Sequence, residues 1–206
     1  MSKLASMMIG LLVACSGGKT APQADAPRVA TKSDTAPPVA TPPAAATTGA
    51  PSAGGLSWTA QPPLVARAPK SQMRVAEYTL EHDPQAELVV FYFGEGQGGA
   101  VEANVTRWLG QLSQPDGEGT AKTAKRAERT VSGLNVALVE ATGTYSGGMA
   151  MPGGPAPAPT PDAMLLAAIA SGPSGPVFFK LVGKRASVEQ ARAGFDALVD
   201  SLHPAP

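Results

Sequence analysis

The chain has 206 residues, with 16 Lys and Arg against 16 Asp and Glu, two histidines and one cysteine. That even balance offers no basic face to neutralise a phosphate backbone, which argues against nucleic acid as a partner. A single cysteine permits no internal disulfide, so stability has to come from packing.

Lys3 precedes a largely apolar run, Leu4 to Val13, that closes on Leu12-Val13-Ala14-Cys15. A basic start, about 7 to 15 apolar residues and small side chains at the cut describe an export signal, and the run is far short of the roughly 20 residues that span a bilayer. The tetrad resembles the lipobox of bacterial lipoproteins. The resemblance implies that residues 1–14 are a signal peptide cut between Ala14 and Cys15, that the Cys15 thiolate takes a diacylglyceryl group, and that the new amine is acylated with a chain such as palmitate. At about 0.8 kcal/mol per buried methylene, two chains already anchor stably. Ser16 rather than Asp follows the cysteine, which is similar to an outer-membrane address and implies a domain in the periplasm or at the surface. Loss of the signal removes Lys3 and leaves 15 basic against 16 acidic side chains.

Residues 15–55 are built of Ala, Pro, Thr, Gly and Ser, with Val29 and Val39 as the sizeable apolar groups before the segment's end. Such a stretch buries too little surface to offset its ordering entropy and is predicted to be a disordered tether, stiffened toward polyproline II by its prolines. Residues 56–206 have the length of one ordinary domain. Met73 to Leu80 and Leu88 to Phe93 read as a strand pair turning at His82-Asp83-Pro84. Val101, Val105, Trp108, Leu109 and Leu112 fall on one helical stripe. Arg126 to Val131 and Leu134 to Tyr145 flank Ser132-Gly133 as a hairpin, and Met164 to Ala170 and Val177 to Val182 flank Gly172 to Pro176 as another. Ser146 to Asp162, rich in Gly and Pro, is predicted to be a mobile surface loop. The closing segment reads as a helix with Ser187 as its cap, Gln190 completing a capping box, and Val188, Ala191, Phe195, Leu198, Val199 and Leu202 on its buried face. Trp58 is expected to pin the start of the domain onto its core.

The element order is ββαββββα, an α+β class with a mainly antiparallel sheet of about six strands and two packed helices. That order, with Phe178-Phe179-Lys180-Leu181-Val182-Gly183 ahead of a helix carrying Phe195, is similar to the PsbP-like fold. It also resembles uncharacterised bacterial envelope lipoproteins in which a glycine-rich segment precedes a tryptophan-bearing helix.

Gly94-Glu95-Gly96-Gln97-Gly98-Gly99 follows a strand, opens a helix and matches G-x-G-x-x-G, the pattern that brings backbone amides to a pyrophosphate. The charged connection that follows, with Asp116 and Glu118 beside Pro and Gly, lacks the acidic strand end that holds a ribose. Gly94, Gly96, Gly98 and Gly99 are therefore read as a tight turn that could bind a small anion, and no cofactor is implied. Nucleophilic catalysis needs a base on the nucleophile and a third group on the base; the supply is His82 beside Asp83 and His203 near the end of the last helix. No zinc-ligand spacing is present. Met149-Ala150-Met151 offers two thioethers to Cu(I) but no further ligand, and Lys122, Lys125, Arg126 and Arg129 read as a solvated loop leading into a strand, ahead of the alternative of contact with anionic lipid or cell-wall polymer. The leading expectation is a non-enzymatic envelope lipoprotein that binds a partner protein through the Ser146 to Asp162 loop or the sheet edges. A ligand-binding domain using the glycine turn is the second, and a hydrolase the third.

Overall fold

A computed structural model describes residues 50–147 and 158–206. The lipobox, Cys15, Met149-Ala150-Met151 and most of the tether lie outside them. The folded part begins four residues ahead of the expected boundary at Leu56. β1 (Ser52–Ala53) pairs with β2 (Leu56–Ser57), and β2 pairs with β11 (His203–Pro204) to give a small three-stranded sheet. His203-Pro204 therefore does more than end a helix: it closes this sheet.

Eight further strands make the main antiparallel sheet. They are β3 (Leu64–Arg67), β4 (Arg74–Leu80), β5 (Asp83–Phe91), β6 (Leu112–Ser113), β7 (Lys125–Val131), β8 (Leu134–Tyr145), β9 (Thr160–Gly172) and β10 (Gly175–Lys184). Their spatial order is β3-β4-β5-β10-β9-β8-β6, with β7 also pairing with β8. The α+β class holds, while the expected six strands become eleven in two sheets. The added strands are mostly two to four residues long, too short to show an alternating pattern. The predicted hairpins are all present, although the first turns at Glu81-His82 and puts Asp83 and Pro84 in β5, and the expected loop Ser146 to Asp162 yields its last three residues to β9.

Because the pleat alternates, each central strand feeds two cores. Leu88, Val90, Met164, Leu166, Ala168, Phe179 and Leu181 face one side and pack with Trp58 and helix α2 (Arg185–Asp200). Leu165, Ala167, Ile169 and Phe178 face the other and pack with α1 (Val101–Leu109) through Val105, Trp108 and Leu109. Leu112, placed by its spacing on the α1 stripe, instead lies in β6 opposite Tyr145, yet is buried in the same cluster. Trp58 is fully buried, donates from Nε1 to the Tyr78 hydroxyl at 3.0 Å, and meets Phe179 edge-on at 5.2 Å between ring centroids.

The predicted face of α2 is buried as expected, but its cap is not. The helix begins at Arg185, with Lys184 in the cap position and no side-chain cap hydrogen bond. Ser187 sits one turn too late, and its hydroxyl donates instead to Asp83 Oδ2 at 2.7 Å. A cap accepts through its oxygen from the first backbone N–H groups; Ser187 lies inside the first turn, three residues past Lys184, and its O–H serves a contact to β5 instead. Truncating Phe195 to Ala should lower stability by about 3 to 5 kcal/mol, since its side chain is buried among Leu198, Trp58 and the α2 face of the sheet. Chemical denaturation with an unchanged midpoint would show that this face is not core.

Candidate functional site

Gly94, Gly96, Gly98 and Gly99 all have positive φ, so the segment is a chain of left-handed turns that reverses β5 into α1. A Cβ at Gly98 would lie 2.8 Å from the Phe178 ring, whereas one at Gly96 would meet nothing within 4 Å. Asn104 holds the turn from the helix side: its Nδ2 donates to the carbonyls of Gly98 at 2.7 Å and Ala100 at 3.0 Å. The charged residues at this helix start are Glu95 in the turn and Glu102 in the first helical turn, both acidic. Gly98→Ala should destabilise the domain clearly more than Gly96→Ala, for which only the backbone penalty of about 1 kcal/mol applies. Equal melting shifts would mean that Phe178 yields.

The histidines are engaged in structural contacts. His82 Nε2 lies 3.1 Å from the carbonyl oxygen of Ser187, while the Ser187 hydroxyl bonds to Asp83. His82, Asp83 and Ser187 thus meet in space, but the ring does not touch the hydroxyl. The hydroxyl's hydrogen bond holds the Asp83 carboxyl below its ordinary pKa, against the opposing effect of burial. This is a clip between β5 and α2, not a relay to a nucleophile.

The concentration of charge that the sequence reading overlooked lies on the α1 face of the main sheet. In register across it, Glu77 of β4 stands beside Val89 of β5, Val89 beside Lys180 of β10, and Lys180 beside Ala167 of β9. Lys180 shares its face with Phe178 and Val182, and its ammonium donates to Gln111 Oε1 and to the Tyr145 hydroxyl, the latter at 3.1 Å. Among the described residues no carboxylate is within ion-pair distance of it. Burial, then the positive charges of Arg107 and Arg74, push its pKa down to about 8. Burial likewise raises the Tyr145 phenol, with Glu87 adding to the effect and Arg74 opposing it.

The neighbouring charges are committed to one another. Glu77 has a fully buried carboxylate bonded by Arg74 at 2.9 Å, with Lys70 3.3 Å from its other oxygen. Burial works against that carboxylate, but the hydrogen bonds from Arg74 and Lys70 outweigh it and hold its pKa below the ordinary value. Glu87 pairs with Lys70 and, at 3.8 Å, with Arg74. Together Arg74, Glu87, Val89, Phe91, Tyr145, Lys180 and Val182 line a cleft of about 390 Å³ that extends past Asp83, Gln85 and Lys184 at the strand ends. A second cleft, of about 360 Å³ under α1 and the loop before β7, has a mostly apolar lining. Its two charges are engaged, Glu118 by Lys122 and Arg126 by Glu102. Neither of these clefts, nor two smaller ones of about 270 and 250 Å³, is lined by residues 94–99.

Fold and cleft together define an antiparallel α+β domain with a charged pocket on one sheet face. The chain is similar to the solution structure of cyanobacterial PsbP from Synechocystis, at 13% identity and a TM-score of 0.45, covering 73% of this chain and 87% of that one. It is also similar to the crystal structure of a Pseudomonas aeruginosa protein of unknown function, at 17% identity and a TM-score of 0.37, covering 59% and 74%. No family model matches the chain, and no curated protein matches it.

The lowered pKa of Lys180 is a statement about stability. Between about 8 and the ordinary lysine value of 10.5 the unfolded chain binds the extra proton. The folded state therefore gains stability as pH rises through that window and bears the full penalty below it. Lys180→Met should accordingly stabilise the domain at pH 7 by on the order of 1 to 3 kcal/mol, with the advantage shrinking by pH 10. Denaturation curves at the two pH values test this; a variant less stable at pH 7 would show the ammonium to be a net support of the fold.

Proposed function

We propose that this is a lipid-anchored protein of the bacterial cell envelope, held by acyl chains on Cys15, whose α+β domain is a non-enzymatic binding module. The observation that carries the binding reading is Lys180: an ammonium set between Phe178 and Val182 on the sheet face, at a cleft of ligand size, with no carboxylate within ion-pair distance among the described residues. The tetrad Leu12-Val13-Ala14-Cys15 and the Pro/Ala-rich stretch after it support the anchor and the tether. Among the described residues no helix is long and apolar enough to cross a membrane.

This reading favours the cleft over Gly94, Gly96, Gly98 and Gly99, because acidic Glu95 lies within that turn and Glu102 in the helix turn after it. A protein partner is the second reading. Its support is the edge strand β3, where Val65 is 42% exposed, and the turn into β4, where Met73 is 51% exposed. An exposed apolar edge is a surface that a partner can cover.

Cell fractionation of a Cys15→Ser chain tests the anchor. The variant is expected to leave the membrane fraction, and the wild-type product to show by mass an acylated amino end at residue 15. A variant that stays with membranes, or an unmodified wild-type end, would remove the anchor.

A further inference from the structure

We propose that the Lys180 cleft binds a small organic carboxylate, with its acid group on the Lys180 ammonium and the Tyr145 hydroxyl and its apolar body on Val89, Phe91 and Val182. This rests on the binding-module reading and gives it a ligand class.

An ammonium has three N–H donors. Among the described residues two are used, by Gln111 Oε1 and the Tyr145 oxygen, which leaves one for a ligand. The Tyr145 oxygen accepts from Lys180, so its own O–H is available to donate to the same anion. Residues 148–159, which connect the cleft-lining Gly147 to Thr160, contain no acidic residue in sequence that could supply the counter-ion.

The surrounding charges select further. From β4 and α1, Arg74 and Arg107 add positive potential at Lys180. Arg74 is itself bound by Glu77 and lies near Glu87, so it does not offer a second free cation. At the Lys180 end of the cleft, one ammonium and one neutral donor suit a monoanion, while Lys184 lies at the far end beside Asp83. A phosphate dianion would need more donors and would also face Glu87, which lines the cleft. The apolar side chains of Val89, Phe91 and Val182 favour a hydrocarbon body over a bare mineral anion. About 390 Å³ is within the range of small-molecule sites.

The decisive experiment is isothermal titration of the full-length protein in non-ionic detergent with hexanoate, inorganic phosphate and hexylammonium. Hexanoate should bind best of the three. Its affinity should fall about tenfold or more in Lys180→Met, as expected for loss of a charged hydrogen bond, and by a smaller factor in Tyr145→Phe. It should also weaken as pH rises from 7 to 9, when Lys180 loses its proton in a site that Arg74, Arg107, Glu77, Glu87 and Tyr145 face. Tyr145→Phe provides the readout should Lys180→Met fail to fold. The proposal is overturned if phosphate or hexylammonium binds as well as hexanoate, if both variants bind hexanoate like the wild type, or if no heat is seen in the millimolar range. If hexanoate fails while crosslinking in cells captures a protein at the β3–β4 edge, the carboxylate site falls and the binding-module reading survives.

Discussion

The β9–β10 hairpin is the constraint on which the molecule is built. Its ten paired positions run through the middle of the main sheet, with β8 on one side and β5 on the other. Helices cover both faces there, so residues at odd and even positions alike must be apolar. Ala163 to Ala170 meets that demand without exception, and Val177 to Val182 meets it except at Lys180. Where every neighbour obeys a packing rule and one residue breaks it at the expense of stability, the departure marks a place shaped by something other than folding. α1 covers the Phe178 end of this face, and the Lys180 end opens into the cleft.

The small sheet joins the two ends of the described domain. β1 and β2 arrive from the N-terminal side and β11 from the C-terminal side; the Ala205 amide donates to the Gly55 carbonyl at 2.8 Å, and the Thr59 amide to the Ser201 hydroxyl at 2.8 Å. Leu56, Trp58 and Leu202 are fully buried beneath these bonds. Residues directly after the proposed tether are thus part of the same core as α2. A load applied through the preceding chain would meet paired backbone and a buried tryptophan rather than a fraying terminus.

Much of this architecture was legible from periodicity, and the failures have particular causes. The hairpins at Ser132-Gly133 and at Gly172 to Pro176 were readable because both flanks are long and the turn residues tolerate the required backbone. The α2 face was readable from Val188, Ala191, Phe195 and Leu198. Leu112 misled because burial in one cluster does not require membership of one helix. Ser187 misled because the helix starts earlier, at Arg185, which leaves the serine inside the first turn and its hydroxyl bonded to Asp83, 104 positions away. β1, β2, β6 and β11 carry two residues each, fewer than any pattern can resolve. For the site, a signal did exist: in Phe178-Phe179-Lys180-Leu181-Val182 the period of two puts Lys180 between Phe178 and Val182 on one face. Its partners Gln111 and Tyr145 come from other elements and could not be read.

Lys180 links proton binding, fold stability and ligand occupancy in one group. At pH 7, with a pKa of about 8, the free site is already mostly charged, so an anion finds its counter-ion in place and the protein takes up little proton on binding. Above that pKa, binding the same anion requires uptake of nearly one proton, and the two equilibria become coupled. The anion also relieves the repulsion that Arg74 and Arg107 impose, so the bound state recovers stability that the empty fold lacks. In the proposed site, an ammonium whose buried charge burdens the fold alone but is balanced by a carboxylate makes occupancy and stability rise together.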